Sequence, residues 1–171
     1  MTETEVKLPI SDLKEARRKI MSLGARLLRE RHAEENFLYD FEDGRLAGKN
    51  EAIRLRKTGR KGLLTFKDAP LNSRSFKVRR EFETALASPG QARKILKALG
   101  LKPAFSYRKF RTVFIKGKLK ITLDETKAGN FAELEGERHE IVRFAEALGF
   151  KRSDFIKADY VALIKKAGSR T

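Results

Sequence analysis

Leu119-Lys120-Ile121-Thr122-Leu123-Asp124 alternates an apolar side chain with a polar or ionic one at every step. Successive side chains of a β-strand point to opposite faces, so Leu119, Ile121 and Leu123 share one face and Lys120, Thr122 and Asp124 the other. The same pattern recurs along the chain. Ile53 and Leu55 oppose Arg54 and Arg56, and Leu64 and Phe66 oppose Thr65 and Lys67. Phe76, Val78 and Phe82 oppose Lys77, Arg79, Glu81 and Glu83, while Phe110 and Phe114 oppose Lys109 and Arg111. Ala132 and Leu134 stand against Glu133 and Glu135, and near the amino end Thr4, Val6 and Leu8 stand against Glu3, Glu5 and Lys7. Strand-like runs fall at 26–41, 51–58, 62–68, 74–84, 104–116, 118–125 and 130–137. With the first, they predict eight strands, turning at Gly59, Gly62, Gly117 and Gly129.

Helices interrupt the series. Ser11 is placed to cap a helix carrying Leu13, Ala16, Ile20 and Leu23, closed by Gly24. Ser88-Pro89 opens a second helix that ends at Gly100, since proline suits the first helical position. A third runs from Arg138 to Gly149, and Ser153 is read as the cap of a last one through Ala158, Val161, Ala162 and Ile164. No Pro/Ser-rich linker or internal repeat divides the chain. Residues 1–166 are read as one domain and 167–171 as a short tail.

The 171 residues include 39 Lys and Arg against 23 Asp and Glu, a formal charge of +16, which points to an anionic partner. With no cysteine, disulfides, thiolate catalysis and Cys-type zinc sites are excluded. His32 and His139 are the only histidines and are read as surface residues. No apolar run reaches the roughly 20 residues that span a bilayer. The expectation is no membrane and a soluble, cytoplasmic setting.

Alternation leaves two architectures open. A flat sheet could bury its apolar face under the helices and leave the charged face in water. Alternatively, eight strands suffice to close a barrel whose charged face lines a ligand-sized interior. Buried charges require partners, metal or ligand. Glu3-x-Glu5-x-Lys7, Glu133-Leu134-Glu135 and Glu81-Phe82-Glu83 place carboxylates in pairs on strand faces. Hard oxygen donors of this kind suit Mg²⁺ or Mn²⁺. Arg54, Arg56, Lys67, Lys109 and Arg111 supply groups that match phosphate oxygens. Glu81 and Glu83 serve equally well to neutralise arginines, and a structural pairing with Lys120 or Lys109 is the lesser reading of Asp124. Tyr39 reads as a core or rim aromatic before a site residue.

These segments, in this order, resemble the CYTH family of triphosphate-tunnel metalloenzymes, which includes class IV adenylate cyclases and thiamine triphosphatases. The resemblance spans residues 2–163. It rests on Glu3-x-Glu5-x-Lys7, Asn36-Phe37-Leu38-Tyr39-Asp40, Ile53-Arg54-Leu55-Arg56 and Leu64-Thr65-Phe66-Lys67. It continues in Arg79-Arg80-Glu81-Phe82-Glu83, Tyr107-Arg108-Lys109-Phe110-Arg111, Leu123-Asp124 and Phe131-Ala132-Glu133-Leu134-Glu135-Gly136.

The resemblance implies an α+β fold: a closed eight-stranded antiparallel barrel, a tunnel with helices outside and charged side chains inside. It implies Mg²⁺ or Mn²⁺ held by Glu3, Glu5, Glu133 and Glu135, with Asp124 a further ligand. A triphosphate would be gripped by Lys7, Arg54, Arg56, Lys67, Lys109 and Arg111, joined by Arg79 and Lys120. Glu3, Glu5, Lys7 and Arg56 are the implied catalytic set, with Glu81, Glu83 and Tyr39 secondary. The substrate would be ATP, tripolyphosphate or thiamine triphosphate. The leading expectation is class IV cyclase-like chemistry, ATP to cyclic AMP and pyrophosphate, with triphosphate hydrolysis as the alternative. A non-catalytic polyphosphate or RNA binder is the rival of another class, though the carboxylate pairs make a nucleic acid partner the weaker choice. A homodimer is compatible with this reading.

Overall fold

The computed structural model describes residues 2–169. Eight strands, β1 (Thr2–Ile10), β2 (Arg26–Asp40), β3 (Ala52–Thr58), β4 (Lys61–Lys67), β5 (Lys77–Leu86), β6 (Lys102–Lys116), β7 (Leu119–Thr126) and β8 (Gly129–Glu135), close into an antiparallel barrel. Their order around it is β1-β5-β4-β3-β2-β6-β7-β8. Five helices complete the α+β fold: α1 (Leu13–Ser22), α2 (Arg45–Gly48), α3 (Pro89–Ala98), α4 (Arg138–Ala147) and α5 (Tyr160–Gly168). Of the two architectures that alternation allows, this is the closed one.

The chain has two compact units. Among the described residues the first comprises Thr2, 33–71 and 79–108. Within it β3 pairs with β4 and β4 with β5, in a register that sets Arg54 opposite Thr65 and Thr65 opposite Glu83. Its apolar cluster gathers Leu55 with Leu46 of α2, Ala92 and Leu96 of α3, Leu101 and Tyr39. Gly62 permits the close approach of α3 to β4, because a Cβ there would stand 2.5 Å from the Cγ of Pro89.

The second unit comprises residues 3–32, 72–78 and 109–169. Here β8 lies between β1 and β7, with Glu5 opposite Glu135, Lys7 opposite Glu133 and Asp124 opposite Phe131. The apolar faces, Val6 and Leu8, Ile121 and Leu123, Ala132 and Leu134, are buried against Ile20 of α1 and Ile141, Phe144 and Ala145 of α4. Val6, Leu8, Ile121, Ala132 and Leu134 are almost wholly removed from solvent. At about 25 cal/mol per Å² of apolar surface, each large aliphatic side chain contributes roughly 1.5–3 kcal/mol.

The element boundaries correct the sequence reading in four places. The cap of α1 is Asp12, not Ser11: its carboxylate accepts from the backbone N–H groups of Lys14 (2.7 Å) and Glu15 (3.0 Å). Ser153 caps no α-helix; it lies in a 3₁₀ turn, Arg152–Asp154, and Asp159 caps α5 by accepting from Ala162 N at 2.9 Å. The fifth strand begins at Lys77 rather than 74. Helix α5 runs through Gly168, so Ala167 and Gly168 of the expected tail are helical, while Arg170 and Thr171 lie outside the described residues. Helix α2 had no periodicity to announce it; Asp40 anchors it by accepting from Leu46 N and Ala47 N.

Candidate active site

The second unit carries a buried ionic network on the face opposite its apolar core. Lys7 reaches Glu5 at 3.2 Å and Glu133 at 4.0 Å, and Lys77 reaches Glu5 at 3.0 Å. Arg111 donates to both oxygens of Asp124, at 2.6 and 2.5 Å, and to Glu133 at 3.1 Å. Lys109 donates to Asp124 at 2.9 Å. The strand period produces this grouping, because Glu5 and Lys7 are two apart on β1, as are Lys109 and Arg111 on β6. Lys7 and Lys109 are each 2% exposed and Asp124 is fully buried, so each charge depends on its neighbours for stabilisation.

The electrostatics follow from that burial. Burial works against ionisation of Asp124, but Arg111 and then Lys109 overcome it and hold its pKa down at about 2. Burial likewise opposes charge on Glu133, and Lys7 and Arg111 carry it well below the usual carboxylate range. Glu5 is also lowered, its burial outweighed by Lys7 and Lys77 despite the neighbouring Glu133. Lys7 is raised, since Glu5 and Glu133 outweigh its burial. Two ionised carboxylates, Glu5 and Glu133, therefore lie against each other.

At the edge of the network Lys120 donates to Glu135 at 2.6 Å. Burial raises the pKa of Glu135, with Lys120 opposing and the charge of Glu3 adding to the rise. Glu3, Glu5, Glu133 and Glu135 are thus four oxygen-donor residues on adjacent, registered strands, and in donor chemistry they fit a hard divalent cation. Among the described residues no three acidic or histidine side chains are drawn together at metal-binding distance. Asp124 fits the role poorly, because Lys109, Arg111 and Tyr160 already donate to it.

Tyr160, the first residue of α5, was not among the candidates the sequence offered. Its hydroxyl donates to Asp124 at 2.6 Å, and its ring lies under the ammonium groups of Lys7 (5.1 Å) and Lys109 (4.6 Å). Phe131 meets it edge-on at 5.9 Å. The phenol is held protonated, first by burial and then by the charges of Asp124 and Glu133. Lys77 is a second addition; its place opposite Val78 in the alternation was its only signal.

The first unit carries its own ionic face. Arg56 Nε lies 3.3 Å from Asn36 Oδ1 and 3.4 Å from Glu34. Arg54 reaches Thr65 at 3.4 Å and Glu83 at 3.7 Å, and Thr65 donates to Glu83 at 2.6 Å. Lys67 pairs with Glu81, and Arg79 donates to the carbonyl of Asn50 at 2.6 Å. Glu81 and Glu83 therefore stand beside cations. Arg54 Nε, Arg79 Nε and Asn36 Nδ2 are buried donors with no acceptor among the described residues, and an anionic oxygen is the partner that would relieve them. Tyr39 lies apart from these groups, buried in the apolar cluster with Leu55 and Leu96.

The profile of the CYTH domain family matches residues 1–152. A protein of Methanocaldococcus jannaschii named "Putative adenylate cyclase MJ0240" is 25% identical over 174 residues, covering 95% of this chain and 98% of that protein. A Vibrio parahaemolyticus structure described in the same terms superposes with a TM-score of 0.85 at 19% identity, covering 96% of this chain and 98% of the other. The Hippeastrum protein named "Putative adenylyl cyclase HpAC1", described as having a dominant triphosphatase activity, superposes with a TM-score of 0.70 at 19% identity, covering 96% of this chain and 95% of the other.

Proposed function

The chain belongs to the CYTH family, and from that membership we propose a divalent-metal-dependent enzyme that acts on a triphosphate, converting ATP to cyclic AMP and pyrophosphate. The observation that carries this reading is the pair of ionised carboxylates, Glu5 and Glu133, buried among lysines and an arginine. Phosphate binding alone calls for cations; adjacent carboxylates add a place for Mg²⁺ or Mn²⁺. Glu3, Glu5, Glu133 and Glu135 would hold the metal, and the buried Asp124 would position Lys109 and Arg111. When bound, the metal would polarise phosphoryl oxygens and lower the pKa of the attacking hydroxyl or water.

The protein's own groups supply the rest by positioning and charge neutralisation, which dominate phosphoryl chemistry. Arg54, Arg56 and Arg79 present buried or half-buried guanidinium donors, and Lys7, Lys67, Lys109, Arg111 and Lys120 add positive charge. Each charge-assisted hydrogen bond is worth about 1.5–3 kcal/mol, so a triphosphate gains far more than a monophosphate. In the cyclase reaction the ribose 3′-oxygen bonds to the α-phosphorus, the bond to the β-phosphate bridge breaks, and pyrophosphate leaves as the hydroxyl proton passes to solvent.

A second reading, hydrolysis of tripolyphosphate, thiamine triphosphate or a nucleoside triphosphate, has one observation in its favour. In the second unit the aromatics on the ionic face, Phe131 and Tyr160, are engaged with each other and with two ammonium groups, and so offer no stacking surface to a base. One experiment separates the readings. The protein is incubated with ATP, tripolyphosphate and thiamine triphosphate, each with Mg²⁺ or Mn²⁺, and products are resolved by chromatography. Cyclic AMP with pyrophosphate is the expected result. Orthophosphate selects hydrolysis, and salt-sensitive RNA or polyphosphate binding without turnover selects a binding module. Glu5→Gln and Arg56→Ala are each expected to abolish turnover while the fold survives.

A further inference from the structure

Two ammonium groups contest one oxygen of Glu5. Its Oε1 lies 3.2 Å from Lys7 Nζ and 3.0 Å from Lys77 Nζ. Glu133, the acid beside it, is met by Arg111 at 3.1 Å and by Lys7 at 4.0 Å. The two lysines are held very differently. Lys7 is buried within β1; its backbone is bonded to Ile156 in both directions, and its ammonium lies over the ring of Tyr160. Lys77 is the first residue of β5, and 12% of its side chain is exposed. Buried Phe76 and Val78 on either side fix its backbone, while the ammonium rides on a flexible four-carbon stem.

That difference matters for a cation arriving at Glu5. A hard divalent ion binds carboxylate oxygen directly, and one of the two oxygens that Glu5 offers is shared by two groups of the ion's own sign. Like charges gathered at one carboxylate repel, and a partly buried position screens them far less than open water does. Withdrawing Lys7 would also break its pairing with Glu133 and leave an ammonium buried. Withdrawing Lys77 takes only a turn of its stem towards solvent, where water hydrates the charge.

We infer that Lys77 is a displaceable counter-ion: it neutralises Glu5 beside Glu133 and gives way when Glu5 takes a divalent cation, so its charge sets how tightly that cation is held. This rests on the metal-dependent reading above. Lys77 acts through Glu5 and is a positioning residue, not a catalytic one. Removing its charge has two effects of opposite sign. Without metal, Glu5 loses one of its two counter-ions next to another carboxylate, and the fold is weakened. With metal, one like charge fewer has to be moved aside, and binding tightens. A lysine that served the fold alone would give the first effect without the second.

The test titrates Mn²⁺ into the full chain by calorimetry, without phosphate. Lys77→Met keeps the stem and removes the charge, and is expected to tighten Mn²⁺ binding by roughly tenfold, a difference of about 1.4 kcal/mol. Lys77→Gln is a second neutral variant and serves if the first does not fold. Lys77→Arg keeps the charge and should stay near wild type. Lys94→Met removes the same charge from an exposed position on α3 and should leave the affinity within about twofold, since exposed charges are screened. In thermal denaturation Lys77→Met should melt below wild type without metal, and Mn²⁺ should raise its midpoint by more. No gain of affinity in folded Lys77→Met or Lys77→Gln, where wild type binds Mn²⁺, overturns the displacement and leaves the metal-dependent reading standing. So does an equal gain in Lys94→Met, which would make the effect one of net charge. Absence of Mn²⁺ binding in wild type and every variant, with tripolyphosphate present or absent, overturns both.

Discussion

Asp124 shows how one side chain can organise a site without being its reactive group. Two guanidinium nitrogens, an ammonium and a phenol converge on its carboxylate. Removing its charge would take from the buried Lys109 and Arg111 a counter-ion they share, and such losses cost about 3–5 kcal/mol. Asp124→Asn is accordingly expected to destabilise the protein by that amount in chemical denaturation. The pH dependence has a definite sign. With a folded-state pKa of about 2 against 3.8 for the free group, the unfolded chain takes up the proton first as pH falls. The stabilisation is complete above about pH 4 and is lost on acidification through about pH 2. An acid titration by circular dichroism should find this loss in wild type and its removal in Asp124→Asn. Strand period alone made Glu5, Lys7, Lys109, Arg111 and Glu133 legible, since it sets which residues share a face. Tyr160 was not legible: its role depends on a contact with Asp124, 36 positions away, and helical spacing marks it only as apolar.

Among the elements, strands could be read from the sequence more faithfully than the ends of helices. Alternation at every second residue leaves few choices of face, and a slip of one residue would bury the wrong set. Helix starts turn on a single capping side chain, and Ser11-Asp12 offered two capable neighbours. Since the Asp12 carboxylate accepts from two backbone groups, Asp12→Ala is expected to cost about 1 kcal/mol. Ser11→Ala should stay within about 0.5 kcal/mol, and thermal denaturation of the pair checks the assignment. Helix α2 is too short for periodicity to reveal, and what secures it, the Asp40 carboxylate, lies outside the helix. At the contact of α3 with β4, Gly62→Ala would drive a methyl group to 2.5 Å from a proline ring carbon. Overpacking of that kind typically costs about 1–3 kcal/mol, to be read as a lower midpoint in denaturant.

At the scale of the whole molecule the 39 lysines and arginines have two destinations. Some are paired with the carboxylates of the ionic faces, and many others lie on exposed surface, where the net +16 draws anions by a field that salt screens over about 8–10 Å. Raising ionic strength is expected to increase KM for a triphosphate while leaving kcat nearly unchanged, because pairs buried in the network are screened far less. Steady-state kinetics across a salt series would show the split; a parallel fall in kcat would place the effect in the buried network instead. The pairing of β1 with β8 has a consequence in time. Glu5 meets Glu135 across roughly 130 intervening positions, and contacts so distant in sequence are slow to form. The carboxylate cluster thus depends on contacts between the first strand and the eighth. A nascent chain that has not yet delivered its eighth strand carries Glu5 without Glu133 or Glu135, so the acids of β1 meet those of β8 only when the last strand of the barrel is in place.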